Sequence, residues 1–205
     1  DNLRTRLADL KIFILPTIDE DTVGKYSSYS ESIEYKNREL SIHKGTVISF
    51  GGKNATIKAF GDTCLSLITA ELITTNDRSV CFVFQVDYMW AYGDSHIMIN
   101  RAVHINSYNN SFVICKKCIN VLKELHSTVI LGSGIREMYN ITGFIYIADD
   151  QTDMNSIMNQ RLVTHTIHVT KTGKNYDNMP GELDISISVD KDRRFTISEP
   201  SKESQ

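Results

Sequence analysis

Hydrophobic and polar residues alternate with a period of two along most of the chain, which is typical of half-buried β-strands. Short connections rich in Asn, Asp and Gly separate the alternating runs. Because these connections have hairpin length, the pattern predicts a meandering antiparallel sheet. We find no internal sequence repeat. The expected strands lie at 46–50, 55–60, 64–74, 79–90, 96–105, 142–148, 162–170 and 182–190.

One segment departs from this period and predicts the main helix of the protein. Apolar residues recur there at intervals of three and four, and Asn109-Asn110-Ser111 offers an N-cap. The helix is expected to end near Gly132-Ser133-Gly134, and its exposed face would carry lysines. Its apolar positions are Cys115, Cys118, Ile119, Leu122 and Leu125.

These elements together predict an α+β fold, a mostly antiparallel β-sheet with one main amphipathic helix packed on it. The N-terminal segment 1–39 is expected to be partly loop, with apolar residues at helical spacing before Pro16 and a Ser/Tyr-rich stretch at 26–30. A single β-rich domain would follow at 40–197, and residues 198–205 are expected to form a disordered tail.

Composition and charge narrow the class of protein without naming its function. The 205 residues are 41% hydrophobic and carry a formal net charge of −3, so any site for a polyanion must be a local patch. No apolar run reaches about 18 residues, and no transmembrane helix is expected. Four unevenly spaced cysteines indicate reduced thiols and an intracellular protein. The Asn-x-Ser/Thr sequons at Asn54, Asn109 and Asn140 are interpreted as chance.

Each motif that suggests catalysis or metal binding has a simpler structural interpretation. Cys115-Lys116-Lys117-Cys118 is a C-x-x-C without a second pair, and both thiols fall on the apolar stripe of the expected helix. His165 and His168 would point to opposite faces of a strand. The acidic turn around Asp149 lacks the calcium-loop pattern, and Gly132-Ser133-Gly134 is neither a nucleophile elbow nor a phosphate loop. We therefore expect no catalytic residues, metal, cofactor or small-molecule substrate.

Basic residues form the candidate contact surface. Three lie on the exposed face of the expected helix, and five lie near the ends of the last two expected strands. Such a set would meet phosphates or lipid headgroups, although an ordinary solvated surface is the alternative interpretation. The residues are Lys116, Lys117, Lys123, Lys171, Lys174, Lys191, Arg193 and Arg194.

The order of elements in the second half resembles that of rhabdovirus matrix proteins. A strand at His96–Ile105 runs through a polar turn into the amphipathic helix, followed by Gly-Ser-Gly and further strands at about 142–190. The resemblance covers roughly residues 96–190. The family's Pro-Pro-x-Tyr motif and basic N-terminal arm do not occur in this sequence, so a plant-infecting or divergent virus is the expected source. The resemblance implies contacts with the nucleocapsid and the membrane through the basic residues named above.

Three classes of function follow, of which the first is favoured. The first is a viral structural protein, matrix-like and not an enzyme, that self-associates and bridges the ribonucleoprotein to the inner membrane face. Its expected partners are further copies of itself, the viral nucleoprotein and an anionic membrane, in the host cytoplasm or nucleus and in the virion. The second is a nucleic-acid-binding viral accessory protein, such as a movement protein or silencing suppressor, with RNA as its partner. The third is a hydrolase whose Asp, His and Ser meet only in the fold.

Overall fold

The chain folds into a flattened β-solenoid, as a computed structural model shows. The structure describes residue 6 and residues 10–27, 32–132, 135–148, 165–172 and 181–198. Parallel strands stack on one another, and we call each complete coil of the solenoid a rung. The successive strands are β1 Ile12–Leu15, β2 Ile33–Lys36, β3 Glu39–Ile42, β4 Thr46–Gly51, β5 Thr56–Ala59, β6 Cys64–Thr75, β7 Val80–Ala91, β8 His96–Tyr108, β9 Phe112–Leu125, β10 Thr128–Leu131, β11 Glu137–Tyr139, β12 Phe144–Ala148, β13 His165–Thr172, β14 Gly181–Val189 and β15 Phe195–Ser198.

A structural repeat of 16 residues organises the solenoid. Cys64 pairs with Val80, which pairs with His96, and this parallel register continues to Phe112. Each long strand bends at its middle, so one rung contributes to two faces. The first face contains β1, β4, β10, β12 and the N-terminal halves of β6 to β9; the second contains β3, β5, β11 and the C-terminal halves.

The turns between rungs explain why the strands stack in parallel. One residue with positive φ recurs in each turn at intervals of 16 or 17 residues. The backbone N of a turn donates a hydrogen bond to a backbone O of the preceding turn, as Asp94 N does to Asp77 O at 2.8 Å. The chain therefore climbs one rung at each turn instead of reversing. The positive-φ residues are Gly45, Gly61, Asp77, Gly93, Asn109 and His126.

The core lies between the two faces and consists of columns of inward-facing side chains in register. One column is Leu65, Cys81, Ile97, Val113, Val129 and Ile145, and all of its members are fully buried. A second cluster lies outside the first face. There β14 and β15 cover Met98, Ile114 and Ile130, with Phe195 among the buried residues. These strands extend the solenoid from β12 by antiparallel pairing.

The predicted fold class is wrong. The segment expected to be the main helix is strand β9, and the described residues contain only a short helix, α1, at Glu20–Ser27. Spacings of three and four arise in β9 because the strand bends between inward-facing Cys115 and Cys118 and carries an extra residue before Leu122. A bent strand therefore imitates the periodicity of a helix.

The predicted connectivity is wrong as well. Strands β6 to β9 pair in parallel, and β4 pairs with β1 and β6 instead of forming a hairpin with β5. Among the described strands, antiparallel pairing is confined to β2 with β3 and to β12 through β15. Most strand positions are nevertheless confirmed. The 16-residue repeat of the fold lies in strand register and turn conformation, which a search for repeated residues does not detect.

In the N-terminal segment, Ile12–Leu15 is a strand, and α1 occupies part of the stretch expected to be loop. The tail from 199 onward, the acidic turn at 149–153 and Ser133 lie outside the described residues. Within the described residues, no helix is long and apolar enough to cross a membrane.

Candidate functional site

The structure separates the predicted basic residues into distinct places. Lys116 and Lys117 lie at the bend of β9, whereas Lys123 is exposed on the second face. Lys191, Arg193 and Arg194 lie in the connection between β14 and β15. The predicted set is therefore not one continuous patch. Lys171 lies on β13, where its backbone pairs with Tyr146 and Gly181, and Lys174 lies outside the described residues.

The bend between the two faces carries an exposed apolar column. The column consists of Phe50, Ile68 and Phe84. The residues on both sides of each are paired in register with the neighbouring rung, so the three side chains follow one another along the solenoid. Their exposed fractions are 66%, 49% and 57%, which is high for large apolar side chains. Asn100 and Lys116 occupy the same position in the following rungs.

The adjacent column, which contains Gln85, carries basic residues on the same rungs as Asn100 and Lys116. Gln85 pairs with Arg101, and Arg101 pairs with Lys117, so two cations occupy neighbouring rungs about 4.8 Å apart. Both side chains are exposed. Like charges directly opposite each other destabilise a sheet, and a bound anion would offset this cost. On the two preceding rungs the acidic residues Glu71 and Asp87 lie beyond inward-facing Ala70 and Val86, on the second face.

Two further apolar residues extend the column across the first face. Ile48 lies two residues before Phe50 on the same side of β4, and Ile14 pairs with it from β1. Both are more than two-fifths exposed. Arg193 lies over the ring of Phe82, 5.2 Å from its centroid, where the cover formed by β14 and β15 ends. We call the continuous surface the corner ridge; it comprises Ile14, Ile48, Phe50, Ile68, Phe84, Arg101, Lys116 and Lys117.

The connection between β14 and β15 attaches the C-terminal strands to the solenoid. Arg194 donates to the main-chain oxygens of Arg78 and Asp94, and its burial lowers its pKa. The backbone N of Phe195 donates to Nδ1 of His96 at 2.7 Å. Burial, with the neighbouring charge of Arg194, lowers the pKa of His96 to about 4. Arg194 and His96 therefore fasten the C-terminal strands to the turns of β7 and β8.

A cleft of about 340 Å³ lies at the turns after β8 and β9, and its lining includes His126, Ser127 and Thr142. Glu124 lies beneath it, fully buried, and accepts hydrogen bonds from the backbone N of Ser127, Thr142 and Gly143 and from the Ser127 hydroxyl. Because the carboxylate is enclosed and accepts from donors of two turns, the one after β9 and the one before β12, it acts as a structural clamp. The sequence gives no sign of this role, since the expected helix would place Glu124 on its exposed face beside Lys123.

The cysteines have no feature of a reactive site. Cys81, Cys115 and Cys118 are buried, and burial raises the pKa of Cys118 to about 12 and that of Cys115 well above its usual value. The thiols of the C-x-x-C thus face the core, as expected, although from a strand. Within the described ranges no group of three or more His, Cys, Asp and Glu residues is arranged to hold a metal. His165 and His168 lie on β13.

Comparison with known proteins finds no matching family model, no matching curated protein and no matching solved structure. The assignment of a function therefore rests on the fold and on the surfaces described here.

Proposed function

We propose that this protein is a non-enzymatic structural protein that docks on an anionic membrane surface through the corner ridge. The observation that carries the proposal is the juxtaposition, on one rigid edge, of exposed Phe50, Ile68 and Phe84 with Arg101, Lys116 and Lys117. Interfacial membrane binding requires this combination, since buried apolar area and attraction to anionic lipids add together.

The expected strength suits reversible attachment. Each cation near an anionic surface contributes about 1 kcal/mol. Each half-exposed Phe or Ile adds on the order of 1 kcal/mol when its remaining area leaves water. Six such residues therefore supply several kcal/mol. An array of copies would bind more firmly than one copy, because linked contacts raise the effective concentration.

The matrix-like role proposed from the sequence extends this docking. A protein that holds a membrane on one edge would bridge it to a viral ribonucleoprotein through another surface. The helix that formed part of the family resemblance is strand β9, so this role draws its support from the corner ridge alone.

The proposal is tested by flotation with neutral phosphatidylcholine vesicles and with vesicles that also contain phosphatidylserine, each at low and high salt. We expect salt-sensitive flotation with the anionic vesicles only. Phe84→Ser should weaken flotation in both salts, whereas Lys117→Gln should weaken it mainly at low salt. Tyr139→Ser and Lys191→Gln, which change exposed residues elsewhere, are the matched controls. Equal flotation of Phe84→Ser and the wild type would contradict the proposal.

Nucleic-acid binding is the alternative function, and the pair Arg101 and Lys117 is the observation that favours it. Cations in neighbouring rungs are able to follow a phosphate backbone. The exposed apolar column would not take part in binding a duplex, whose bases are already stacked. A gel shift with double-stranded RNA at about 50 mM salt separates the two functions, because RNA binding would be weakened in Lys117→Gln and unchanged in Phe84→Ser.

A further inference from the structure

The second face of the solenoid carries a separate aromatic surface. Tyr88 and Trp90 project outward from β7, and His104 and Asn106 are their partners in register on β8. Trp90 is 40% exposed and Tyr88 is 42% exposed. Tyr92 and Tyr108 form a stacked pair beside them. We call this surface the aromatic face; it is separated from the corner ridge by the column of Glu71 and Asp87.

The orientation of the rings limits what this surface is able to bind. Tyr88 and His104 stack with centroids 4.8 Å apart and planes 5° from parallel, and Tyr92 and Tyr108 stack at 5.0 Å and 14°. The stacks run along the solenoid, so within these two pairs each ring covers one face of its neighbour and turns its edge outward. A nucleobase or a sugar ring would need a free aromatic face to stack on. Another protein surface can instead pack against the ring edges and hydrogen-bond to their polar atoms.

The charges around the aromatic face are arranged for a second copy of the same face. Glu71 and Asp87 lie on its N-terminal rungs, and Lys123 is exposed on a C-terminal rung, beside which Glu137 accepts from the Tyr139 hydroxyl. A two-fold axis that lies in the interface plane and runs perpendicular to the solenoid axis packs the two faces together and reverses the order of the rungs, so Lys123 of each copy would approach the acidic end of the other. Lys58, at the acidic end, is already paired with Glu39 at 3.3 Å.

The dimensions of the face fit a modest dimer. Rungs separated by about 4.8 Å and strand segments of about five residues give a surface of roughly 30 by 15 Å. Two such flat surfaces would bury on the order of 1,000 Å² in total, which is near the lower limit for a specific interface. Because the solenoid backbone is regular, the surfaces need little rearrangement to meet.

We propose that the aromatic face is a homodimer interface in which two copies pack through Tyr88, Trp90 and His104 about a two-fold axis. The dimer is independent of the membrane docking proposed above, because the two surfaces lie on different sides of the solenoid. It leaves both corner ridges uncovered by the partner.

Sedimentation velocity without lipid tests the dimer, over concentrations up to about 100 µM. We expect the wild type to shift from monomer to dimer across this range. Trp90→Glu adds a charge at the centre of the interface and should raise the dimer dissociation constant at least about tenfold. Phe84→Glu, the matched control on the corner ridge, should dimerise like the wild type. Because both side chains are exposed, circular dichroism should show equal folding of the variants.

Several outcomes would overturn the proposal. A wild type that stays monomeric at the highest concentration refutes the dimer, as does a dimer that Phe84→Glu disrupts and Trp90→Glu does not. Binding of a fluorescent oligothymidylate or a soluble glucan oligosaccharide that is lost in Trp90→Glu would assign the face to another ligand. Membrane docking is read independently, by flotation of Phe84→Ser, so failure of one proposal leaves the other intact.

Discussion

The buried carboxylate of Glu124 should be among the most sensitive side chains in the protein. Oε1 accepts from the backbone N of Ser127 and, at 2.9 Å, from the Ser127 hydroxyl. Oε2 accepts from the backbone N of Thr142 at 3.0 Å and of Gly143 at 2.7 Å. Since the side chain is fully buried, no water replaces a lost acceptor.

The substitution Glu124→Gln keeps the shape and replaces one acceptor oxygen with an NH2 group. If the NH2 replaces Oε2, the backbone N of Thr142 and of Gly143 lose their acceptor; if it replaces Oε1, the backbone N of Ser127 does, while the Ser127 hydroxyl is able to accept from the NH2 and donate to Ser107 O. A hydrogen bond to a charged group contributes about 1.5–3 kcal/mol, so the expected loss of unfolding free energy is roughly 2–4 kcal/mol. Glu137→Gln, at an exposed site whose carboxylate accepts from Tyr139, is the matched control and should cost less than about 0.5 kcal/mol.

Urea unfolding followed by circular dichroism measures both variants, with the slope of the transition checked against the wild type. A loss below about 1 kcal/mol in Glu124→Gln would refute the reasoning, because it would mean that the donors find other acceptors. If Glu124→Gln fails to fold, the unfolding free energy of Thr142→Pro tests the same set of hydrogen bonds. It removes the Thr142 backbone donor and also the Thr142 hydroxyl that accepts from His126 N, and among the hydrogen bonds to Glu124 it leaves those from Ser127 and Gly143 in place; Thr142→Val, which removes only the hydroxyl, is its control.

Three further predictions address the turns, the C-terminal strands and the thiols. Gly93→Ala should lower stability by about 1–2 kcal/mol in thermal unfolding, because φ is +68° and a Cβ would lie 2.8 Å from the backbone N of Asp77, whereas Asn109→Gly at the equivalent position should be nearly neutral. His96 has a pKa of about 4 in the folded protein and about 6.5 in the unfolded chain, so the unfolded state binds more protons between these pH values. The free energy of unfolding should therefore fall by up to about 3 kcal/mol as the pH drops through this window. An NMR titration of His96 with a midpoint near pH 6.5 would contradict this prediction. A thiol reagent at pH 8 should leave Cys118 unmodified until urea unfolds the protein, while half-buried Cys64 reacts first; rapid native labelling of Cys118 would refute its burial.

The positions of strands could be predicted from sequence because alternation is a local property. Leu183, Ile185, Ile187 and Val189 alternate with polar residues, and their segment is strand β14. The partner of each strand could not be predicted in the same way. Alternation is equally compatible with a hairpin and with a parallel rung, and the connection after Thr75 has the length of either.

The sequence does contain a signal of the solenoid, although a weak one. Gly45, Gly61 and Gly93 are separated by multiples of 16 residues, and Ile68 and Phe84 by 16. Asp77 and Asn109 complete the turn series with different side chains that tolerate positive φ, so the repeat is conformational and not a repeat of residue identity. An unrepeated sequence can thus form a repetitive fold.

The candidate site could likewise be predicted from the sequence only in part. Sequence alone indicated that Lys117 is exposed and that Cys115 and Cys118 are buried, because charge and hydrophobicity set the cost of removing each side chain from water. Only the tertiary structure placed Phe50, Ile68 and Phe84 beside this lysine, since residues 16 or 18 apart become neighbours through rung-to-rung hydrogen bonding. Burial preferences are properties of single residues, whereas a surface is a property of the register between strands.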